Sequence, residues 1–478
     1  MPMIPFVGPT YQHRSRDVSS QLTRNLYPES TDGKAKVVLM GTAGTATFAN
    51  LAASAVGACR GLYATSTGRL FGVLADGNLV EVADNGGGVY LGTLRATIGA
   101  GVGRVSFADD GDYLMVCDGA AMRRLKLSDN TVASQTLPFA SPAQVVFVGQ
   151  RFVAVNGSNQ FWWSEINDRT QWPALNVASA ETSADDIVSI SSVGGNLWLL
   201  GSRSYEVRGL TSDPDFPYQL IGGSAGNIGC GAPLSVAVVG DTVLMLGSVS
   251  GEGVVYASSG LGLARVSNHA IEYAIGLAAS ADAYSFAYQQ EGHNFYVMTL
   301  PSQQRTLVFD LGLQMWHERS TANAVTLAPE AWLANDAAVC FGKVLFGSRL
   351  GAVISYPDLG KYTEYDDRQI IRVHQSPVYW DDLRLLSHRE LRIDFEGGVG
   401  LQVGQGNDPQ AMLRYSDDGG STWGNELWES IGKIGQYGWC ANWVCLGMSR
   451  ERVYRLTISD PVKVVIIGAS LTADKAGR

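Results

Sequence analysis

The stretch VGQRFVAVNGSNQFWWSEI, Val148 to Ile166, decides the fold, because it holds two short strand patterns separated by a turn. Val153 and Val155 lie at alternate positions of the first pattern, and Phe161 to Trp163 begin the second. Asn156 and Gly157 lie between them, and both residue types suit a tight hairpin turn. The stretch is therefore typical of one hairpin of an antiparallel sheet.

The same pattern occurs seven times between about residues 60 and 362. The units begin about 39 to 52 residues apart, at Gly61, Arg104, Ala143, Asp186, Ser235, Ser285 and Ala337. A four-stranded propeller blade takes ~40 to 50 residues, and its inner strands are nearly all apolar because neighbouring blades cover both faces. We therefore predict a β-propeller over residues 41–362, with six or seven blades.

Composition supports an all-β chain of more than one domain. The 478 residues include 56 Gly, 19 Tyr and 11 Trp, which favours turns and aromatic-rich strands over long helices. Hydrophobic residues make up 46% and charged residues 17%, which excludes a disordered chain. A single core stops growing at roughly 250 to 300 residues, so we expect a second domain beside the propeller.

The second domain is predicted over residues 363–478. YWDDLRLLSHRELRIDFEGG and RVYRLTISDPVKVVIIGASL show longer alternating strands, which are typical of a β-sandwich. The first 40 residues lack the blade pattern. We assign residues 1–40 to this sandwich as an N-terminal segment, because chain termini often lie close together.

Charge and cysteines restrict the function. The formal net charge is −10, which is unfavourable for coating nucleic acid. The six cysteines are dispersed without any CxxC pair, so we expect buried free thiols rather than a zinc site or disulfides. The N-terminus shows no export signal and no apolar run approaches the ~20 residues of a membrane span, so we expect a soluble protein that is not exported by its own signals.

The most specific local motif is SDDGGSTW, Ser416 to Trp423, which fits the Asp-box pattern S-x-D-x-G-x-T-W. We interpret it as a structural turn: Asp418 accepts backbone N–H groups, Gly420 takes a positive φ angle and Trp423 packs beneath. The motif residues are Ser416, Asp418, Gly420, Thr422 and Trp423. Because sialidases carry this box, a glycan-binding or sialidase-like propeller is the alternative.

No catalytic, cofactor or metal site is predicted. A sialidase needs clustered arginines, and Arg151, Arg203, Arg208 and Arg265 lie at different blade positions, although they could meet in space. The six histidines show no metal-binding spacing, and Gly99 to Gly103 lacks the lysine of a phosphate loop. We expect no cofactor and no small-molecule substrate.

Several segments along the chain form a recognisable series. The first is YQHRSRDVSSQLTRNLYPE, Tyr11 to Glu29, with Tyr11, Arg14, Ser15, Ser20, Gln21, Asn25, Tyr27 and Pro28. It is followed by FWWSEINDRTQW (Phe161 to Trp172), LWLLGSRSYEV (Leu197 to Val207), GCGAPLSVA (Gly229 to Ala237) and RVSNHAIE (Arg265 to Glu272). In sequence and in order, these segments resemble the phage family of packaged-DNA stabilisation proteins, also called tail hub or nozzle proteins, and the likeness extends over nearly the whole chain.

The resemblance implies a structural virion protein that assembles in the host cytoplasm, and no enzyme. It implies a homo-hexameric ring of the phage tail below the portal and its adaptor, which retains packaged DNA and forms part of the ejection channel. Its implied partners are the portal adaptor, or head-to-tail connector, and tail fibre, spike or needle proteins. DNA would pass through the lumen without sequence-specific binding.

A cellular protein-interaction scaffold is a further alternative, because propellers are common platforms.

Overall fold

The computed structural model describes residues 3–51, 57–248, 253–276 and 280–475. Strands dominate this part of the chain, which contains the helix α1 (His269–Gly276) and the 3-10 turns Pro233–Ser235, Ser280–Asp282 and Pro301–Gln303. Strands near the N-terminus precede the first propeller unit: β1 (Met3–Ile4), β2 (Tyr11–Gln12), β3 (Ser20–Arg24), β4 (Leu26–Ser30), β5 (Val37–Gly41) and β6 (Gly44–Asn50).

Of the next 28 strands of the described chain, 27 build seven four-stranded units together with β6, which contributes the last strand; the other, β31, pairs beside the sixth unit. The first three units are β7 (Cys59–Ala64), β8 (Leu70–Leu74), β9 (Asn78–Asp84), β10 (Tyr90–Thr97); β11 (Ser106–Asp109), β12 (Tyr113–Cys117), β13 (Met122–Lys126), β14 (Val132–Ser134); and β15 (Gln144–Val148), β16 (Arg151–Val155), β17 (Gln160–Trp163), β18 (Val177–Ser179). The fourth and fifth are β19 (Ile187–Val193), β20 (Asn196–Gly201), β21 (Tyr205–Leu210), β22 (Tyr218–Gly226); and β23 (Ala237–Val239), β24 (Thr242–Leu246), β25 (Val255–Ser259), β26 (Gly262–Arg265). The sixth is β27 (Tyr284–Gln290), β28 (His293–Leu300), β29 (Arg305–Asp310), β30 (Met315–Ala322), beside which β31 (Pro329–Ala331) pairs; the seventh is β32 (Ala334–Cys340), β33 (Lys343–Ser348), β34 (Val353–Asp358) and β6.

The ring of units is closed by a strand from the other end of the propeller sequence. β6 pairs antiparallel with β34, joining Ile354 to Ala49, and pairs parallel with the outer strand β10 of the first unit, joining Tyr90 to Ala49. The first and seventh units therefore share one sheet, which leaves neither with an open outer edge at this point.

Packing between units depends on apolar strands and on close approach of backbones. The second strands of the units are almost fully buried, as Leu197 to Gly201 in β20 shows. At Gly61 a Cβ atom would lie 2.8 Å from side-chain atoms of both Val105 and Phe107, so a larger residue would push the first and second units apart.

The remaining strands form the sandwich together with β1–β5. They are β35 (Arg372–Gln375), β36 (Tyr379–Trp380), β37 (Leu386–Phe395), β38 (Gln410–Ser416), β39 (Leu427–Ser430), β40 (Ala441–Val444), β41 (Met448–Ser449), β42 (Glu451–Ile458) and β43 (Val465–Lys475). One sheet has the order β4-β5-β43-β37-β40, with β1 and β41 at its side. The facing sheet has the order β3-β35-β42-β38-β39, with β2 and β36 at its side. The core between them contains Leu391, Leu413, Tyr454 and Ile466.

The second sheet of the sandwich continues into the sixth propeller unit. β3 lies between β35 and β30, and Arg24 is paired with Glu318 across the boundary. Asn25 follows at φ 55°, where its side chain donates to the Ile371 carbonyl at 2.9 Å and accepts from the Ser320 backbone N–H at 2.9 Å. The N-terminal segment is thereby hydrogen-bonded to both domains.

A buried carboxylate holds this boundary together. Glu318 is 1% exposed, and it accepts hydrogen bonds from Arg24 Nε at 3.0 Å and from Arg305 Nε at 2.9 Å. Burial acts to raise the pKa of Glu318, but the charges of Arg305 and Arg24 outweigh burial and hold the pKa below its usual value. Glu318 is therefore ionised and is hydrogen-bonded to two guanidinium groups, which share its single negative charge.

Two histidines are buried in the sandwich. His374 Nε2 lies 2.6 Å from the Phe6 carbonyl, and His388 lies between Ser449 Oγ at 2.9 Å and Tyr454 Oη at 2.8 Å. Because burial disfavours the charged ring, the pKa of each is lowered to about 4. A carbonyl can only accept, so His374 carries its proton on Nε2 and ties the N-terminal segment to β35.

The expectation that all six cysteines are buried is wrong for two of them. Cys59, Cys117, Cys230 and Cys340 are buried, whereas Cys440 and Cys445 are exposed on either side of β40, whose short length leaves its ends in loops. All six are free thiols. None of the described helices is long and apolar enough to cross a membrane.

Replacing Glu318 tests the boundary. Glu318→Gln leaves Arg24 and Arg305 without a counter-charge, so we expect a loss of about 3 kcal/mol in the free energy of unfolding. This value is the low end of the range for a broken buried ion pair, because both guanidinium groups are partly exposed to solvent. Urea denaturation measures it. Asp129→Asn, which breaks the exposed Lys126 pair, is the control and should leave the free energy of unfolding close to that of the wild type. Equal losses in the two variants would contradict the role of Glu318.

The buried histidines predict acid sensitivity. An unfolded histidine titrates near pH ~6.5, whereas His374 and His388 in the folded protein stay neutral down to about pH 4. Between these two pH values the unfolded chain binds more protons than the folded protein, so the free energy of unfolding falls as the pH is lowered. Urea midpoints at pH 7.5, 6 and 5 should fall less steeply in His374→Gln than in the wild type. His269→Gln, at a largely exposed position, should follow the wild-type slope. An unchanged slope in His374→Gln would refute this prediction.

Candidate functional site

The seven propeller units surround a central cavity of about 420 Å³. Its wall takes residues from the first strand of every unit: Leu62, Phe107, Gln144, Ser189, Val238, Ala287 and Ala337. At ~30 Å³ for each molecule of liquid water, the cavity holds about 14 waters. It is the axial position at which propellers commonly bind ligands.

Charged groups in this cavity neutralise each other. Arg104 contacts Asp336 at 2.5 Å and donates to the Ser285 carbonyl at 2.5 Å, so it bridges the second, sixth and seventh units. Asp336 also accepts from the Leu62 backbone N–H at 3.0 Å. The axis therefore holds a closed ion pair rather than a free acid, base or cation.

The four arginines considered for a sialidase are held at separate places by their own partners or lie exposed. Arg208 is paired with Glu206 at 2.7 Å and Arg265 with Glu272 at 2.6 Å. Arg151 donates to the Ser164 and Pro214 carbonyls, and Arg203 is exposed on the fourth unit. None of the four lines the axial cavity, so they do not form a carboxylate clamp there.

The Asp-box residues form a compact turn between β38 and β39. Asp418 accepts from the Ser416 hydroxyl at 2.6 Å, the Thr422 hydroxyl at 2.6 Å and the Ser421 backbone N–H at 2.9 Å. These hydrogen bonds, those from Ser416 and Thr422 above all, hold the pKa of the Asp418 carboxyl well below its usual range. The carboxylate is thus fully used within the turn.

The other two Asp-box positions connect the turn to its surroundings. Gly420 has φ 92°, a conformation that favours glycine, and its carbonyl accepts from Trp423 Nε1 at 3.1 Å. The guanidinium of Arg455 lies 3.8 Å from the centre of the Trp423 ring, so the tryptophan packs against the sandwich sheet.

The family-like N-terminal residues are distributed over a hairpin and the domain boundary. Tyr11 in β2 is paired with Gln21 in β3, and Arg14 and Ser15 lie in the exposed loop between these strands. Ser20 begins β3, and its carbonyl accepts from Gln375 Nε2 at 2.6 Å.

Three further members of that segment lie where the domains meet. Asn25 makes the boundary hydrogen bonds, and Tyr27 and Pro28 lie in β4. The Tyr27 ring is buried 5.6 Å from that of Phe295 in the sixth unit. This part of the segment therefore fixes the orientation of the propeller on the sandwich.

A candidate contact surface lies where the two sandwich sheets end beside each other. β39 is the last strand of one sheet, β40 is the last strand of the other, and β41 occupies the same side of β37 as β40. Trp443 Nε1 donates to the Leu427 carbonyl at 3.0 Å and closes the two sheets together. In the described part of the chain, β39 pairs only with β38 and β40 pairs only with β37, so the outer side of each strand has no paired strand.

Exposed apolar side chains concentrate at this place, which we call the sandwich edge. Its members are Trp428, Ile434, Tyr437, Trp439, Val444 and Met448. Trp428 and Val444 are 58% and 57% exposed, although their neighbours Leu427 and Trp443 face the core. Clusters of this kind mark protein interaction sites. The sequence reading missed them, because alternation reveals which side chain points outward but not what covers it.

Two family models match the chain. The model described as bacteriophage P22 Gp10, beta-propeller, matches residues 2–358, and the model described as bacteriophage P22 Gp10, beta-sandwich, matches residues 371–474. The predicted resemblance and the predicted fold class, a propeller with a β-sandwich, are confirmed. The propeller model extends over β1–β5, which the structure places in the sandwich sheets.

Several solved structures match part of the chain at low identity. The WD40 beta propeller domain of Doa1 has 11% identity and a TM-score of 0.41, and the match covers 66% of this chain and 96% of that one. BamB from Moraxella catarrhalis has 9% identity and a TM-score of 0.39, with 70% and 94% covered. The extracellular domain of BT4673 from B. thetaiotaomicron has 10% identity and a TM-score of 0.43, with 81% and 47% covered. The comparison with curated proteins finds no match.

Replacing Asp418 tests the role of the Asp-box turn. Asp418→Ala removes the acceptor of at least three hydrogen bonds, so we expect a lower unfolding temperature. Asp241→Ala, in the exposed turn between β23 and β24, is the control and should unfold at the wild-type temperature. Differential scanning calorimetry measures both. An Asp418→Ala protein as stable as the wild type would show that the turn is not a folding element.

Proposed function

The chain belongs to the bacteriophage P22 Gp10 family of structural phage tail proteins, and from this premise we propose that six copies form a ring in the tail. The ring lies below the portal and its adaptor, retains packaged DNA and forms part of the channel through which DNA leaves. Tail fibres, spikes or a needle bind to it from outside. The protein assembles in the host cytoplasm and remains in the virion.

The sandwich edge is the observation that supports this ring. Six apolar side chains are exposed on β39, β40, β41 and the loop between β39 and β40, and in the described part of the chain no further strand pairs with β39 or β40 on the outer side. Soluble proteins protect such edges by charge, proline or coverage, because they otherwise join neighbouring molecules. In a head-to-tail ring, each copy covers the edge of the next with a different surface of its own sandwich. The sandwich is then the assembling part, and the propeller extends from it.

The propeller itself supports a lumen between copies. Its axial cavity of about 420 Å³, the volume of a sphere roughly 9 Å across, is lined by the Arg104–Asp336 ion pair, whereas the major groove of a DNA duplex alone is ~12 Å wide. A channel for DNA therefore requires several copies around a common axis. The net charge of −10 suits a lumen that conducts DNA without retaining it.

A purely structural role agrees with the chemistry around the axis. Arg104 and Asp336 are paired with each other, and Asp418 is used within its turn. Among the described residues, no group of three His, Cys, Asp or Glu side chains is placed to hold a metal ion. We therefore propose that the protein catalyses no reaction and binds no cofactor or small-molecule substrate.

Charged substitutions at the sandwich edge test the ring. Trp428→Asp combined with Val444→Asp places carboxylates in the contact, and burying unpaired charges is costly, so we expect monomeric protein to accumulate and virions to lack it. The measurements are mass spectrometry of purified particles and electron microscopy of their tails after complementation. Circular dichroism should show unchanged folding, because both side chains are exposed in the single chain.

Val102→Asp combined with Val325→Asp is the matched control. Both valines are largely exposed on the propeller, at 96% and 89%, outside the sandwich edge. This variant should enter particles as the wild type does. Full incorporation of the edge variant would exclude this edge as the ring contact, and absence of the wild-type chain from virions would overturn the proposed function itself.

A further inference from the structure

A second cavity, of about 270 Å³, lies where the N-terminal segment, the propeller and the sandwich meet. The loop between β2 and β3 forms one wall, α1 another, and β29, β42 and the Asp-box turn complete it. The loop is held by backbone hydrogen bonds from His13 N to Ser19 O at 2.9 Å and from Val18 N to Ser15 O at 3.2 Å. No residue of the sandwich edge lines this cavity.

The lining is strongly basic. Arg14, Arg16, Arg305 and Arg455 contribute to it together with His13, and no aspartate or glutamate is among the lining residues. The arginines come from positions up to about 440 residues apart in the chain. In a protein whose net charge is −10, such a concentration of guanidinium groups is a specific feature of this place. We call this cavity the arginine pocket.

The guanidinium groups retain hydrogen-bonding capacity, because most of their partners are neutral. Arg455 donates from Nε and Nη2 to one oxygen of Gln375, at 3.2 and 3.0 Å. Arg16 donates to the Gly420 carbonyl at 3.2 Å. The exception is Arg305, which is paired with Glu318, but that carboxylate is shared with Arg24.

The electrostatic environment of Arg455 agrees with an excess of positive charge. Burial first, and then the charges of Arg414, Arg24 and Arg16, lower the pKa of Arg455 to about 10. An anion in the pocket would remove this repulsion and accept paired hydrogen bonds from the planar guanidiniums.

We infer that the arginine pocket binds carboxylate side chains of an acidic protein segment. Arg14 and Arg16 from the loop and Arg455 from β42 act as the clamp, and Arg305 contributes its charge from β29. The occupant is a partner protein that presents aspartate or glutamate residues to the junction of the two domains. This binding needs a single folded chain only, so it does not depend on the proposed ring.

The shape of the pocket favours a protein carboxylate over DNA. Its volume corresponds to about nine waters at ~30 Å³ each, and a glutamate can extend into it on a flexible apolar stem. Phosphates of a duplex belong to a continuous backbone, so they reach the exposed Arg14 and Arg16 more readily than Arg455, which is half-buried. Tyr273 of α1, 44% exposed at the lining, offers an apolar surface for the stem.

Fluorescence anisotropy with a labelled hexaglutamate peptide and the purified full-length chain tests the inference. We expect the wild type to bind, and Arg14→Gln combined with Arg16→Gln to weaken binding at least tenfold. Arg203→Gln combined with Arg384→Gln removes the same charge from exposed positions elsewhere and should leave binding unchanged. Arg455→Lys, which keeps the charge but loses the planar fork, should bind more weakly than the wild type.

Each contrary result overturns the inference. Hexaglutamate that does not bind, or that loses equal affinity in both double variants, would show that the arginines do not form a site. A 20-base-pair duplex that binds more tightly than hexaglutamate, and loses this affinity in Arg14→Gln with Arg16→Gln, would assign the pocket to nucleic acid instead. Circular dichroism of each variant confirms that the comparison is between folded proteins.

Discussion

The backbone groups of a strand edge must find partners, and this requirement governs how the two domains are built together. β3 is hydrogen-bonded to β35 of the sandwich on one side and meets β30 of the propeller on the other, so a single short strand satisfies edges in both domains. β6 does the same between the first and seventh propeller units. Without these two N-terminal strands, the ring and the second sandwich sheet would both end in open edges.

The strand inventory could be predicted from the sequence, but several long-range pairings could not. Seven repeated units followed from period-2 patterning and hairpin turns, as in Val148 to Ile166, because those signals are local. The segment GTATFAN of β6 predicts a short strand but not its partner, because β34 lies about 300 residues away. Asn25 carries no local signal of its boundary role, since its partners Ser320 and Ile371 are equally remote.

Sites made by sequence-distant residues were hidden for the same reason. The Asp-box turn is contiguous, so its hydrogen bonds could be anticipated from Ser416 to Trp423. The arginine pocket draws on Arg14, Arg305 and Arg455, which no spacing rule connects. The sandwich edge could not be predicted without knowing which strands are the last in each sheet. These are β39, which contains Trp428, and β40, which contains Val444. The family resemblance indicated the function, which local sequence patterns do not encode. The structure then showed two surfaces, the sandwich edge and the arginine pocket, through which the protein can bind others.

The interleaving of the two ends of the chain also sets a schedule for synthesis. Met40 in β5 pairs with Val465 in β43, about 425 residues later. At 5–20 residues per second, a ribosome needs roughly 20 to 85 s to translate these residues. During that time β3, β4 and β5 have no sandwich strands to pair with. The propeller can close as soon as β34 emerges, whereas the sandwich is completed only by the last strand. Since the sandwich edge, our proposed contact between copies, exists only in a finished sandwich, we expect a prematurely terminated chain to lack that contact and to be left out of the particle.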